Sequence, residues 1–242
     1  MSKKIQSMTA EVAGVLAVYA MMSANSYKKK IGRVRFDLKK LGWQQVGLDG
    51  KPTDKPAKVH KISGLAYNIY EKVGSNKVVF AFRGTDSKRD YLWANLSVPP
   101  FNFQYRQAKR AIKKYLIEHS DKNVVATGHS LGGGLALSVS VRYGIKAFAF
   151  DPSPRVFDGL GNVHKEAERV IVYQKGEILK LVRKLWKKDN EVVERKNVYK
   201  CNYPDVFKGS SKHRGDLLAK GLLSQGVTAN SELSLDLADT VR

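Results

Sequence analysis

The pentapeptide Gly128-His129-Ser130-Leu131-Gly132 sets one serine between two glycines, and its flanks decide what that serine can do. Residues 124–127 before it are apolar and rich in valine, which predicts a short buried strand, and residues 131–143 after it predict a helix. A serine on such a strand-to-helix turn sits in a strained backbone conformation with its hydroxyl exposed above the sheet, and glycines are needed where side chains would collide. The turn also aims the first amides of the helix at the point where negative charge develops during attack on a carbonyl. A bare G-x-S-x-G arises by chance in on the order of one chain in ten of this length. The strand before this one, the helix after it, and Gly133 and Gly134, which let helix and sheet approach closely, separate it from an incidental glycine-rich turn. The chemistry indicated is nucleophilic attack by Ser130.

A serine hydroxyl attacks poorly until a neighbouring imidazole can accept its proton. Five histidines are available. His129 adjoins Ser130, but the turn is expected to direct it elsewhere, in a structural role. His60 lies in a polar segment, His119 closes a surface helix and His164 sits near a Gly-Asn turn, so all three are expected to be solvated. His213 remains, after the last predicted strand and before an apolar helical run at residues 217–223. Two carboxylates could orient its ring: Glu177, after a strand predicted at residues 169–173, and Asp151, at the end of one predicted at residues 145–150. On spacing alone both stay open.

The elements that must hold these groups alternate. Thr9 and Glu11 mark a helix start, and Val12, Leu16, Tyr19 and Ala20 continue it with an apolar face. Residues 31–61 turn polar and rich in Lys, Gly and Pro, which predicts irregular structure and short edge strands with no functional residues. Two β-rich runs at 62–70 and 77–82 flank Val73-Gly74-Ser75-Asn76 and predict a hairpin. In residues 105–118, Tyr105, Ala108, Ile112 and Tyr115 recur at helical spacing while Arg106, Lys109, Arg110 and Lys113 lie elsewhere around the helix. Strands alternating with helices imply a mostly parallel sheet covered on both faces. The 242 residues fit one domain, taken here as 1–223, with a polar tail at 224–242.

The composition narrows the setting. Lys and Arg number 43 against 22 Asp and Glu, a formal charge of +21, so the surface attracts polyanions. Cys201 is the only cysteine, which excludes an intrachain disulfide and a thiolate metal site; no metal or cofactor is expected. The apolar stretch at residues 12–22 is interrupted on its approach by Glu11, lacks a clean cleavage site and is far shorter than the roughly twenty residues of a membrane-crossing helix. A soluble protein without signal peptide is expected.

At the level of longer blocks the chain resembles the class three, fungal-type lipase family, which includes bacterial phospholipases. The resemblance is carried by GHSLGGGLA at residues 128–136, FAFRGTDSKRDYLWANL at 80–96 and FAFDPSPRV at 148–156. RVIVYQKGEILKL at 169–181 looks like the family's strand leading to its catalytic acid, and His213 sits where its catalytic histidine is expected. The resemblance implies an α/β-hydrolase fold, mostly parallel with helices on both faces, and an acyl-ester hydrolase using Ser130, His213 and Glu177. Thr85 in the Arg83-Gly84-Thr85 turn would supply an oxyanion-hole donor beside the amide of Leu131. The family usually has aspartate where this chain has Glu177; the extra methylene alters reach and leaves the chemistry, and Asp151 stays the alternative acid.

Between Thr85 and Phe103 lie Tyr91, Trp93, Leu96 and Phe101, an apolar density that marks either a binding surface or core packing. In the family this segment is a lid, and Asp90 and Asn95 match its lid-anchoring polar positions. The basic run at 106–114 follows it directly, so an anionic membrane surface is the expected docking partner and a phospholipid the expected substrate. Membrane-directed chemistry without an export sequence suggests a bacterial protein delivered by specialised secretion, a role known among relatives. A soluble carboxylesterase or acyltransferase is the runner-up. A basic nucleic-acid-binding module with a vestigial site is disfavoured, because no interleaved basic and aromatic RNA motif or zinc-finger spacing occurs. The sequence names no protein partner.

Overall fold

The structure is a computed structural model and describes residues 5–60, 62–85, 100–154, 156, 164–180 and 197–228, with the backbone alone at 100–102. One sheet organises them. Its strands are β1 (Gln6–Ser7), β2 (Trp43–Val46), β3 (Lys58–Val59), β4 (Ala66–Lys72), β5 (Lys77–Phe82), β6 (Asn123–His129), β7 (Lys146–Phe150), β8 (Arg169–Gln174) and β9 (Asn197–Cys201), and the helices are α1 (Ala10–Asn25), α2 (Pro100–Glu118), α3 (Leu131–Tyr143) and α4 (Gly215–Val227). The spatial order is β1-β9-β8-β7-β6-β5-β4-β2, with β3 also paired to β4. From β5 to β9 and on to β1 every pairing is parallel; β4 runs antiparallel to β5, and β2 and β3 antiparallel to β4.

Strand periodicity divides the core in two. Val79 and Ala81 of β5, Val125 of β6, Phe148 and Phe150 of β7 and Val172 of β8 face a cluster that contains Leu16, Met21 and Met22 of α1 and Leu218 and Leu222 of α4. Their neighbours Phe80, Phe82, Ala126, Ala149 and Ile171 face the opposite cluster, with Tyr105 and Ile112 of α2 and Leu135 and Val139 of α3. Residues buried on both faces explain why these strands read as continuous apolar runs instead of alternating ones. The stretch at residues 12–22 lies within α1, a core element whose Thr9 cap accepts from Val12 N at 3.4 Å. Among the described residues no helix is long and apolar enough to cross a membrane.

Four expectations are corrected. Residues 62–65 are not strand: Ile62 is exposed in a turn closed by Gly64 N donating to His60 O at 2.9 Å, and Gly64 holds φ at +73°. The β-branched isoleucine suggested a strand that Ser63-Gly64 forbids. The helix expected from Tyr105 begins at Pro100, proline being well suited to a first helical turn. Its buried side is nevertheless the expected one: Tyr105, Ala108, Ile112 and Tyr115 are all buried. The last helix continues to Val227, past the boundary expected at residue 223. Finally β9 and its partner β1 were not foreseen, since Asn197–Cys201 mixes charge and polarity as an outer strand of a sheet does.

Candidate active site

β6 ends at His129, Ser130 adopts φ 61° and ψ −128°, and α3 begins at Leu131. Positive φ is costly for a residue with a Cβ and persists only when surroundings hold it. Here Ser130 N donates to Phe150 O at 3.0 Å, while Ser130 O accepts from Ser153 N at 2.9 Å and Gly134 N at 3.1 Å. The adjacent strand β7 and the first turn of α3 thus lock the elbow. Gly128 must lack a side chain, because a Cβ there would collide with the backbone carbonyl of Gly132. Ser130 Oγ is buried and makes no hydrogen bond among the described residues.

The chain leaving β5 crosses over this serine: a Cβ on Gly84 would lie 3.2 Å from Ser130 Cβ and 2.7 Å from His129 O. Thr85 follows Gly84 and is half-buried. Leu131 is the first residue of α3, where backbone amides have no acceptor within the helix. Thr85 thus follows the residue that crosses Ser130, and Leu131 follows Ser130 itself.

His213 lies in the turn just before α4 and Glu177 in the turn after β8. His213 Nδ1–H donates to Glu177 Oε2 at 3.0 Å, and the side chains are 9% and 0% exposed, so the pair is shielded from water. Leu179 N also donates to Glu177 Oε2, at 2.8 Å. With Nδ1 engaged, Nε2 is the ring nitrogen that carries a lone pair. Asp151 is fully buried at φ 41° directly after β7, and its Oδ1 accepts from Gln174 N at 2.8 Å. Of the two carboxylates that spacing left open, Glu177 makes the hydrogen bond to His213.

His129 is buried, and its ring lies 4.6 Å, centroid to centroid, from that of His213. Burial, then the neighbouring His213 and Arg33, hold its pKa well below the ordinary histidine value, so it is neutral at pH 7. Tyr27 Oη lies 2.9 Å from its Nδ1 and 3.3 Å from its backbone oxygen. The Arg33 guanidinium stacks 4.6 Å over the Tyr27 ring, and Val34 N donates to Asp216 Oδ2 at 3.0 Å, tying the segment after α1 to the start of α4. Arg33 and Val34 lie in the stretch where no functional residues were expected. Tyr27 and Arg33 carried no local motif; only the fold brings them to residue 129.

The remaining histidines are partly exposed and have partners: His60 with Gln107, His119 with the Tyr115 ring, and His164 with Glu166. Tyr91, Trp93 and Leu96, with Asp90 and Asn95, lie outside the described residues, as do 181–196 and 229–242. Phe101 and Phe103 belong to α2 and not to a loop; Phe103 is 55% exposed and so is no core residue.

A family model described as a Tle-like phospholipase domain matches residues 18–191. An extracellular phospholipase A1 of Serratia liquefaciens is 37% identical over 98 residues, which are 40% of this chain and 30% of that protein. The match thus spans less than a third of the relative's length. Among solved structures, a lipase from Rhizopus microsporus var. chinensis superposes with a TM-score of 0.52 at 18% identity, covering 72% of this chain and 70% of its own. Lipase II from Rhizopus niveus gives 0.53 at 15% identity, covering 77% and 78%. At such identities the likeness concerns the fold, which is that of the α/β-hydrolases.

Proposed function

The chain belongs to the Tle-like phospholipase domain family, and from that premise we propose that it is a serine hydrolase cleaving acyl esters of phospholipids, with Ser130 as nucleophile, His213 as base and Glu177 as acid. The observation that carries the reading is the buried hydrogen bond from His213 Nδ1 to Glu177 Oε2, in a chain whose Ser130 is held at positive φ on a strand-to-helix turn. Glu177 orients the ring and stabilises its charged form; Nε2 takes the Ser130 proton as Oγ attacks the ester carbonyl. The oxyanion is met by the Leu131 amide and by Thr85. Collapse expels the lyso-lipid alcohol, protonated by His213, and leaves an acyl-serine. His213 then deprotonates a water that attacks the acyl carbon, the fatty acid departs and the serine proton returns.

Phospholipid is favoured over neutral fat by charge. The exposed Arg106, Arg110, Lys113 and Lys114 share α2 with the exposed Phe103, so one helix offers cations to headgroups and an apolar ring to the interface. Peripheral binding to an anionic membrane follows from the same surface. The lid role of Tyr91, Trp93, Leu96, Phe101 and Phe103 belongs to this reading, as does delivery to the membrane by specialised secretion.

Ser130→Ala removes one oxygen and should abolish hydrolysis with the circular dichroism unchanged. A fluorophosphonate should label Ser130 alone in the native protein. Incubation with mixed bacterial phospholipids, followed by mass spectrometry, should reveal lyso-lipids. Activity retained by Ser130→Ala, or label on another residue, would overturn the assignment. A rate indifferent to vesicles, with soluble esters cleaved well, would favour the carboxylesterase alternative.

A further inference from the structure

His129, Asp151 and His213 each offer one donor atom, and these atoms all lie within 4.8 Å of one another. No linear motif announces the group, because its members come from the ends of β6 and β7 and from the turn before α4. Each is braced from behind. His213 Nδ1 is held by Glu177 Oε2 at 3.0 Å, His129 Nδ1 by Tyr27 Oη at 2.9 Å, and Asp151 Oδ1 by Gln174 N at 2.8 Å. In the tautomer with its proton on Nδ1, His129 donates to Tyr27 Oη, the hydroxyl donates to His129 O, and Nε2 is the lone-pair nitrogen of that ring. That Nε2 is buried and has no hydrogen-bond partner among the described residues. An imidazole fixed through one nitrogen by a hydroxyl and open at the other, as His129 is, has the arrangement that outer-shell partners impose on metal-binding histidines, and the Glu177 carboxylate orients the His213 ring in the same manner.

We propose that these three side chains bind a divalent transition-metal ion, and that the ion silences Ser130 by occupying His213 Nε2. Two imidazole nitrogens and one carboxylate oxygen suit zinc and its first-row neighbours, whereas magnesium and calcium require oxygen donors. Bonds of about 2.0–2.1 Å put the donors of a tetrahedral site about 3.3 Å apart. Closure from 4.8 Å therefore takes side-chain shifts on the order of an ångström, within reach of small rotations. The ion is not a cofactor of hydrolysis but its competitor, holding the lone pair that the serine proton needs. Binding itself stands on the cluster's geometry; the inhibitory consequence rests on His213 being the base.

Cobalt and zinc are the probes. The full chain, stripped of metal, is titrated with Co²⁺ while visible absorption is followed, and zinc is then added to displace it. One equivalent should bind with the intense d–d bands of a four- or five-coordinate ion, and Mg²⁺ or Ca²⁺ in excess should not compete. Ser130→Ala should bind identically, since its hydroxyl is not a ligand. Tyr27→Phe, which removes only the brace behind His129, should weaken binding about 10-fold or more, and His129→Asn should weaken it further. Ester hydrolysis should fall over the same zinc range and return with a chelator. Absence of a stoichiometric cobalt complex, or affinity unmoved by both Tyr27→Phe and His129→Asn, would overturn the site. A metal-free protein that binds cobalt but hydrolyses no ester sustains the site and removes the hydrolase reading; an active protein that takes up no cobalt does the reverse.

Discussion

Two neighbouring strands each end in a buried carboxylate, and the two turns use it differently. At the end of β7, Asp151 follows Phe150 immediately; its N donates to Val172 O at 2.8 Å, and its Oδ1 accepts from Gln174 N. Both bonds reach sideways to β8, so this carboxylate is fastened into the sheet's end. At the end of β8, Lys175 and Gly176 intervene before Glu177, and Gly176 at φ +79° lets the chain turn before the acid arrives. Glu177 still takes a backbone donor, Leu179 N, but the same oxygen also receives His213. Both carboxylates are buried and near the same imidazole, so neither burial nor proximity distinguishes them. What differs is whether the nearest oxygen is committed to backbone or shared with the ring.

The sharpest way to break this comparison is to remove charge from the shared oxygen. Glu177→Gln keeps the shape but can present an amide to His213, and loss of tautomer control and of imidazolium stabilisation should lower kcat by about 10⁴-fold. Circular dichroism and a melting curve establish folding before the rate is read. A Glu177→Gln enzyme within tenfold of the parent would detach the 3.0 Å bond from catalysis and return the role to the β7 carboxylate.

A smaller loss calibrates the scale. Thr85→Val deletes a hydroxyl from the turn that crosses Ser130 while keeping the backbone amide, and should cost on the order of 10² in kcat with little change in KM. Such a split identifies a group that acts in the transition state. An unchanged kcat would reduce Thr85 to the end of a strand and leave the oxyanion to backbone amides.

The same contrast explains what the sequence disclosed. The elbow was legible because its requirements are local: a glycine where Gly132's carbonyl excludes a Cβ, a serine at the bend, and apolar runs on each side. The central strands were legible because burial on both faces demands unbroken hydrophobicity. Spacing left Glu177 and Asp151 both open and only the family resemblance favoured Glu177, because the bond to His213 joins residues 36 apart in sequence. The partners of His129 were hidden for the same cause: nothing near Ser130 reports that Tyr27, 102 residues earlier, meets that ring or that His213 lies against it. The strand Asn197–Cys201 was hidden by its lysine and asparagine, tolerated where, among the described residues, β9 pairs outward only with the two residues of β1.

The smallest effect is expected at the committed carboxylate, and it tests the other half of the comparison. Asp151→Asn preserves an oxygen that can accept from Gln174 N but removes the charge that strengthens the bond. Hydrogen bonds to charged groups contribute about 1.5–3 kcal/mol, and only part of that is lost when a neutral acceptor replaces the carboxylate. A destabilisation of about 1–2 kcal/mol follows, which lowers the melting temperature by roughly 2–8 °C in a domain of this size. Activity at a temperature where the variant is folded should stay within about tenfold of the parent, since the His213 ring keeps Glu177 as its partner. The two measurements separate the roles cleanly: a lower melting temperature with a working enzyme marks a residue that holds β7 to β8. A stable, folded Asp151→Asn with kcat down by thousands would mean that the backbone-bound carboxylate, and not the imidazole-bound one, carries the charge that catalysis uses.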